Sequence, residues 1–254
     1  KVKPSEVYHL AAQSYVGYSF EDEFSTFNTN INGTHYILSA VKEFAASKVK
    51  FYFAGSSEMF GKVQAIPQNE NTIFNPRSAY GISKVTGYHL VKNYREAYKL
   101  HASNGILFNH ESPLRGETFV TKKVVKALCN IKYNKQKKLF VGNLYAKRDW
   151  GHAEDYVNAM WKILQHKQAE DFVICTGKQY TIKQFINMVA KELDLKIKWK
   201  GKGIKEKAYN EKNRCIIECK EKYLRPAEVD TLKGDFSKAK KILKWKPKKT
   251  IKSL

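Results

Sequence analysis

"VKFYFAGSS" (Val49 to Ser57) is an apolar run that ends abruptly in small polar residues. Apolar side chains at successive positions predict a buried parallel strand, and the serines predict a polar turn at its carboxyl end. The same reading recurs on either side. "SEVYHLAAQS" (Ser5 to Ser14) is a short apolar run into small residues, and "GILFNHESP" (Gly105 to Pro113) is a strand followed by a loop. Between these runs the period is helical. Ile37, Leu38, Val41 and Phe44 mark it within "NTNINGTHYILSAVKEFA" (Asn28 to Ala45), and it returns from Ala79 to Leu100, after Pro76. Strands alternating with helices predict an α/β fold built on a doubly wound parallel sheet, with its chemistry at the carboxyl ends of the strands.

Beyond Pro113 the rhythm changes. "FVTKKVVKALCNI" (Phe119 to Ile131) reads as a helix and "KLFVGN" (Lys138 to Asn143) as a strand. "AEDYVNAMWKILQH" (Ala153 to His166) and "TIKQFINMVAKEL" (Thr181 to Leu193) are amphipathic helices, the second opened by a threonine cap. Lys196 to Lys222 is lysine-rich and poorly periodic and reads as a surface loop region. "GDFSKAKKILKWKP" (Gly234 to Pro247) reads as a closing helix with a proline stop.

Composition narrows the class. Hydrophobic residues make up 43% of 254 positions, enough for a substantial core. No apolar stretch is long enough for a bilayer span and no signal peptide is seen, so neither a membrane nor secretion is expected. Cys129, Cys175, Cys215 and Cys219 lack CxxC spacing and read as reduced thiols of a cytosolic protein, with no metal site. The net charge of +22 invites a nucleic-acid partner. Yet only Arg77, Arg95, Arg115, Arg148, Arg214 and Arg225 carry the planar fork that reads bases and clamps phosphates. A solvated lysine surface is the simpler reading; no nucleic-acid partner is expected, although the field would favour an anionic substrate.

Within "RSAYGISK" (Arg77 to Lys84), Tyr80 and Lys84 fall on one helix face. An ammonium beside a phenol favours the phenolate, which predicts a Tyr80 pKa drawn from about 10 towards neutrality. Such a base could take a proton from a sugar or alcohol hydroxyl during hydride transfer. In a lysine-rich chain the same spacing also arises on an ordinary surface helix. Upstream, "GSSEMFG" (Gly55 to Gly61) puts the hydroxyls of Ser56 and Ser57 and the carboxylate of Glu58 at a strand's carboxyl end, where ligand is expected. Taken alone, "HLAAQS" is an ordinary buried strand, His110 a loop histidine, Arg148 and Asp149 a surface ion pair, and Trp150 and Trp161 core residues.

The conjunction of these segments resembles the extended short-chain dehydrogenases/reductases. "SSEMFGKVQAIPQNE", "NPRSAYGISK", "NYREAY", "FNHESP", "AKRDWGHAEDYV", "EDFVICTG" and "YLRPAEVD" narrow the resemblance to the GDP-mannose 4,6-dehydratase family over nearly the whole chain. Related sugar-nucleotide epimerases commonly have alanine where Glu58 stands. The resemblance implies a lyase that turns GDP-mannose into GDP-4-keto-6-deoxy-mannose through transient hydride transfer to bound NADP, in the cytoplasm, as a homo-oligomer. It implies catalytic roles for Ser56, Glu58, Tyr80 and Lys84. Tyr80 would deprotonate the sugar's 4-hydroxyl, and Glu58 would move the C5 proton to the departing 6-hydroxyl. Cofactor contacts carried over by match are Leu10, Ala11, Ala12, Gln13, Ser14, Tyr80, Lys84, His110 and Arg115. Substrate contacts are Ser57, Asn109, Lys123, Arg148, Arg225 and Glu228.

The resemblance also divides the chain. Residues 1–113, with 139–177 returning to them, correspond to a Rossmann-type NADP-binding domain. Residues 114–138 and 178–254 correspond mainly to a smaller α+β sugar-nucleotide-binding lobe. In that family the first strands and a glycine-rich phosphate turn precede the segment matching Val7, and no such turn occurs in these residues; "GKGIKE" (Gly201 to Glu206) ends on Glu206 where a third glycine is needed. The chain opens on Lys1, and its first methionine is Met59. It is therefore expected to be an N-terminally truncated piece, slightly short at its C-terminus, and inactive in isolation because NADP would be poorly held. Leu114, Ser25 and Phe60 depart from the family pattern, the first at an expected arginine and the other two at expected tyrosines. Two other readings are carried: another NAD(P)-dependent sugar-nucleotide epimerase or dehydratase, and a catalytically idle nucleotide-sensing scaffold of the same fold. Retention of Ser56, Glu58, Tyr80 and Lys84 together argues against the scaffold, which needs no base.

Overall fold

The computed structural model describes residues 3–45 and 49–254. Strand β1 (Glu6–His9) leads through a loop to α1 (Glu23–Phe27), capped by Asp22, whose carboxylate accepts from the Ser25 amide at 2.9 Å. A π-helical turn over Asn28–Asn32 passes directly into α2 (Gly33–Ala45). Then come β2 (Lys50–Ser56), α3 (Ala79–Tyr98), β3 (His101–Leu107) and the short β4 (Asn109–Glu111). Helix α3 starts where Ser78, two residues past Pro76, accepts a bond from the Gly81 amide at 3.0 Å. It stops at Lys99, which adopts the left-handed conformation (φ 58°).

The chain continues through α4 (Val120–Lys132), β5 (Leu139–Val141), β6 (Lys147–Arg148), β7 (Trp150–His152), α5 (Ala153–Gln165) and β8 (Asp171–Ile174). After β9 (Tyr180–Thr181), a capping box between Thr181 and Gln184 opens α6 (Ile182–Glu192). Strands β10 (Ile197–Lys200), β11 (Lys207–Asn210) and β12 (Cys215–Cys219) follow, and then α7 (Ser237–Leu243).

Strands β1, β2, β3 and β8 form one fully parallel sheet in that order. Alternation along β2 and its neighbours feeds two separate cores. Phe51, Phe53 and Ala102 pack with Leu38 and Val41 of α2 and Val91 of α3. Tyr52, Leu107, Phe172 and Ile174 pack with Tyr156, Met160 and Ile163 of α5 and with Ala239 and Leu243 of α7. Helices therefore cover both faces, as the doubly wound reading requires. Each fully buried aliphatic or aromatic side chain here contributes roughly 1.5–3 kcal/mol of transfer free energy. Phe44, part of the apolar period of α2, faces outward and is exposed.

A second sheet, β10–β11–β12–β5, builds the smaller lobe. Its core joins Val124 and Leu128 of α4, Val141 of β5, Phe185 and Ile186 of α6, and Ala208 and Ile217 of β11 and β12. Three strands thus occupy the stretch Lys196–Lys222 that was read as a surface loop. Ile197 and Trp199 lean on the core while Lys198 and Lys200 point outward, so high lysine content hid a genuine alternation. Leu139–Val141 pairs with β12 in the lobe sheet, whereas Ser237–Leu243 packs on the α5–β8 core. Trp150 is a core residue, but Trp161 is exposed on the outer face of α5.

Candidate active site

The carboxyl ends of β1, β2 and β3 open into a cavity of about 750 Å³ that reaches across to the lobe. Ser56 ends β2 in extended conformation, and its Oγ accepts the Glu58 amide at 3.2 Å, which caps the 3₁₀ turn Ser57–Met59. That cap turns the Glu58 side chain into the cavity beside Ser57, both residues being buried. Tyr80 enters the same cavity from the first turn of α3. Close backbone approach makes this possible: a Cβ on Gly81 would lie 2.9 Å from the Glu58 carbonyl oxygen. Six residues on, a Cβ on Gly87 would meet the Phe53 ring at 2.3 Å, so α3 lies hard against β2.

The electrostatics depart from the expected phenol–ammonium pair. Burial pushes the Tyr80 phenol up to about 12; the Ser56 hydroxyl and the Arg115 charge act downward, and the Glu58 charge upward. Burial likewise lowers Lys84 to about 8. Its Nζ donates to the Ala54 carbonyl at 2.9 Å and stands 4.9 Å from the Phe53 ring centre and 5.9 Å from that of Tyr80. The expected drop in the Tyr80 pKa is therefore not found. A buried ammonium must be hydrogen-bonded, and the strand carbonyl takes it before the phenol does.

The lobe side carries the arginines. Arg148 is buried, donates from Nη1 to the Val229 carbonyl at 2.7 Å, and pairs through Nη2 with Glu228 Oε1 at 3.1 Å. Arg225 Nη1 stands 3.4 Å from Glu58 Oε1 and 3.8 Å from Glu228 Oε1. The Lys123 ammonium lies 3.8 Å from the centre of the Tyr223 ring, and burial lowers its pKa. Asn109 also lines the cavity, with a buried Oδ1 that has no partner. Arg148 and Asp149 are not a pair. Asp149 is fully buried and accepts from Thr176 N and Oγ1, from Gly177 N at 2.8 Å and from Gly234 N; desolvation raises its pKa to about 6 despite those bonds.

Of the residues matched to a cofactor, Leu10, Ala12 and Ser14 line the cavity beside Tyr80 and Lys84, whereas Ala11 and Gln13 do not. The Gln13 side chain is occupied by Thr26 Oγ1 at 3.0 Å and the Tyr15 amide at 2.6 Å. His110 donates from Nδ1 to the Phe108 carbonyl at 2.9 Å and stacks on Tyr156, and burial lowers its pKa. Arg115 pairs with Glu111 at 3.1 Å and lies 3.5 Å over the Phe119 ring. This donor set suits a nicotinamide nucleotide: a buried phenol and ammonium share the wall where three parallel strands end.

Sequence reading missed Asn30. It is buried in the π turn, accepts the Gln13 amide at 2.8 Å, and donates to the Gln13 carbonyl at 3.1 Å and to Ser83 Oγ at 2.9 Å. Ser83 in turn donates to the Tyr80 carbonyl at 2.7 Å, so the loop after β1 is tied to the turn that carries Tyr80 and Lys84. The asparagine-rich run "NTNIN" interrupting a helical period was the available signal. Among the described residues no cluster suited to a metal ion occurs and no helix is long and apolar enough to cross a membrane.

Known proteins share this arrangement. The GDP-mannose 4,6 dehydratase family matches residues 1–254. GDP-mannose 4,6 dehydratase 2 of Caenorhabditis elegans is 48% identical over 254 residues, covering all of this chain and 66% of the relative. The human GDP-mannose 4,6 dehydratase is 47% identical over 250 residues, 98% of this chain and 67% of its own length. The chain thus spans about two thirds of the length of these curated relatives. Among solved structures, RMD from Pseudomonas aeruginosa complexed with NADPH superposes with a TM-score of 0.84 at 26% identity, covering 98% of this chain and 78% of that one. A UDP-glucose 4-epimerase from Thermotoga maritima has a TM-score of 0.80 at 23% identity over 98% of this chain and 72% of its own, a likeness of fold alone. Strand-end serine and glutamate, a helix-borne tyrosine and lysine, and a match to the family from first residue to last lead to one conclusion: this chain belongs to the GDP-mannose 4,6-dehydratase family.

Proposed function

We propose that the chain carries the catalytic and sugar-nucleotide sites of an NADP-dependent dehydratase acting on GDP-mannose. One observation carries the reading. Ser56, Glu58, Tyr80 and Lys84 share a cavity with Arg148, Arg225 and Glu228, so a proton-transfer centre and a diphosphate grip face a single ligand. Arginine forks suit a diphosphate, and the Asn109 Oδ1 without a partner suits a ligand hydroxyl or amino group. Tyr80 takes the proton of the hexose 4-hydroxyl, with the Ser56 hydroxyl beside it to bond the 4-oxygen. Oxidation at C4 acidifies the C5 proton. Glu58 takes that proton and delivers it to the 6-hydroxyl, which leaves as water. NADP, which Leu10, Ala12, Ser14, Tyr80 and Lys84 would hold, would supply a reversible hydride acceptor for C4. Lys84, hydrogen-bonded to the β2 backbone, would help hold the nicotinamide ribose.

Four free cysteines support a cytoplasmic setting. Exposed Phe24, Tyr36 and Phe44 along the α1–α2 helix support a homo-oligomer. The deciding assay supplies GDP-mannose and NADP to an extended enzyme, these residues preceded by the N-terminal part of the Caenorhabditis elegans relative. A product lighter by one water is expected; a product of unchanged mass and altered stereochemistry would replace dehydration with epimerisation.

A further inference from the structure

Arg225 stands between competing claims on its charge. Its Nη1 is 3.4 Å from Glu58 Oε1 and 3.8 Å from Glu228 Oε1. Glu228 is already engaged, because the same Oε1 receives Arg148 Nη2 at 3.1 Å and the Val229 amide at 3.0 Å. Arg148 is anchored to main-chain carbonyls of Val229 and Lys147 at 2.7 and 3.0 Å. The two guanidinium groups therefore differ. The Arg148 side chain is 7% exposed and fixed, whereas that of Arg225 is 30% exposed and, among the described residues, has only carboxylates as ion-pair partners, at long range. Among the described residues, Arg225 is the only ion-pair partner of Glu58.

A diphosphate offers paired oxygens at the spacing of the arginine fork and more charge than one carboxylate. We propose that Glu58 and the diphosphate of the sugar nucleotide compete for Arg225, so that seating the nucleotide takes the counter-ion from the base. The exchange leaves the Glu58 carboxylate unpaired, facing the hexose, only when a sugar nucleotide has seated its diphosphate, which makes Arg225 a positioning residue for Glu58 as well as a binding residue. The inference rests on the sugar-nucleotide reading of the cavity and assigns Arg225 a task beyond it.

Calorimetric titration of the 254-residue chain with GDP tests the exchange in four forms: unaltered, Glu58→Gln, Arg225→Met, and the double variant. Glu58→Gln is nearly isosteric, frees Arg225 and is expected to tighten GDP binding roughly three- to tenfold. Arg225→Met weakens binding, and in its background Glu58→Gln gives no gain. Guanosine, which has no phosphate, binds the unaltered chain and Glu58→Gln alike. Unchanged GDP affinity in Glu58→Gln overturns the proposal. So does a gain that survives in the double variant, because the effect would then be direct repulsion between Glu58 and phosphate. An unaltered chain that binds neither GDP nor guanosine removes the sugar-nucleotide reading, and the proposal falls with it.

Discussion

The Tyr80 phenol stands at about 12 because burial withholds water from its anion, while Ser56 and Arg115 pull the other way. A group with that pKa is mostly protonated at neutral pH, and its base form grows as pH rises. Turnover of the extended enzyme is therefore expected to climb from neutral into alkaline solution. Tyr80→Phe should lower turnover about 10²–10⁴-fold and flatten that climb. Its GDP affinity should stay within about twofold of the parent, since the phenol acts at the hexose. Steady-state rates across pH with a parallel calorimetric titration check all three points. The chemistry these side chains can offer was readable from residue type, because a carboxylate or a phenol carries its chemistry wherever it is placed. The pKa of Tyr80 was not readable, since it depends on how much solvent the fold removes.

At the scale of elements, the site depends on how closely α3 lies on β2. The strand presents Ser56 and the turn after it Glu58, the helix presents Tyr80 and Lys84, and the Phe53 ring lies against Gly87. Gly87→Ala places a methyl 2.3 Å from the Phe53 ring, inside contact distance, so the buried ring or the helix must shift. The expected cost is about 1–3 kcal/mol of stability despite the better helix propensity of alanine. Thermal unfolding measures it; an unchanged or raised midpoint would contradict the packing. The strand and helix runs themselves were legible, because each is a periodicity within a dozen residues. Their separation was not, since it is set by a glycine and a ring 34 positions apart. The β10–β12 strands went unread for a different reason: lysine stems occupied the outward positions of a real alternation.

For the molecule as a whole, the net charge of +22 becomes a field over a cavity lined by Lys84, Arg115, Lys123, Arg148, Lys222 and Arg225. Glu58, Glu111 and Glu228 neutralise part of that wall, and the remainder favours an anionic ligand. Raising ionic strength from about 0.05 to about 0.5 M is expected to weaken GDP binding by roughly three- to tenfold and to leave guanosine binding unmoved. Calorimetry at the two salt concentrations decides the point. A salt-insensitive GDP affinity would mean that close contacts alone hold the nucleotide. The charge count came from composition, but its concentration at one cavity came from two sheets meeting across Arg148, Arg225 and the ends of β1 to β3.

By itself the sequence determined the alternation of strands and helices, the two-faced parallel sheet, and the chemical types of the groups that line the cavity. Each of these is written in neighbouring residues or in the chemistry of one side chain. Tertiary structure alone decided that Lys84 bonds a carbonyl 30 residues away, that Asn30 ties two loops together through a serine 53 residues on, and that Arg225 reaches Glu58 across 167 residues. A hydrogen bond or ion pair depends on distance in space. Separation along the chain carries no record of that distance once helices and strands have packed.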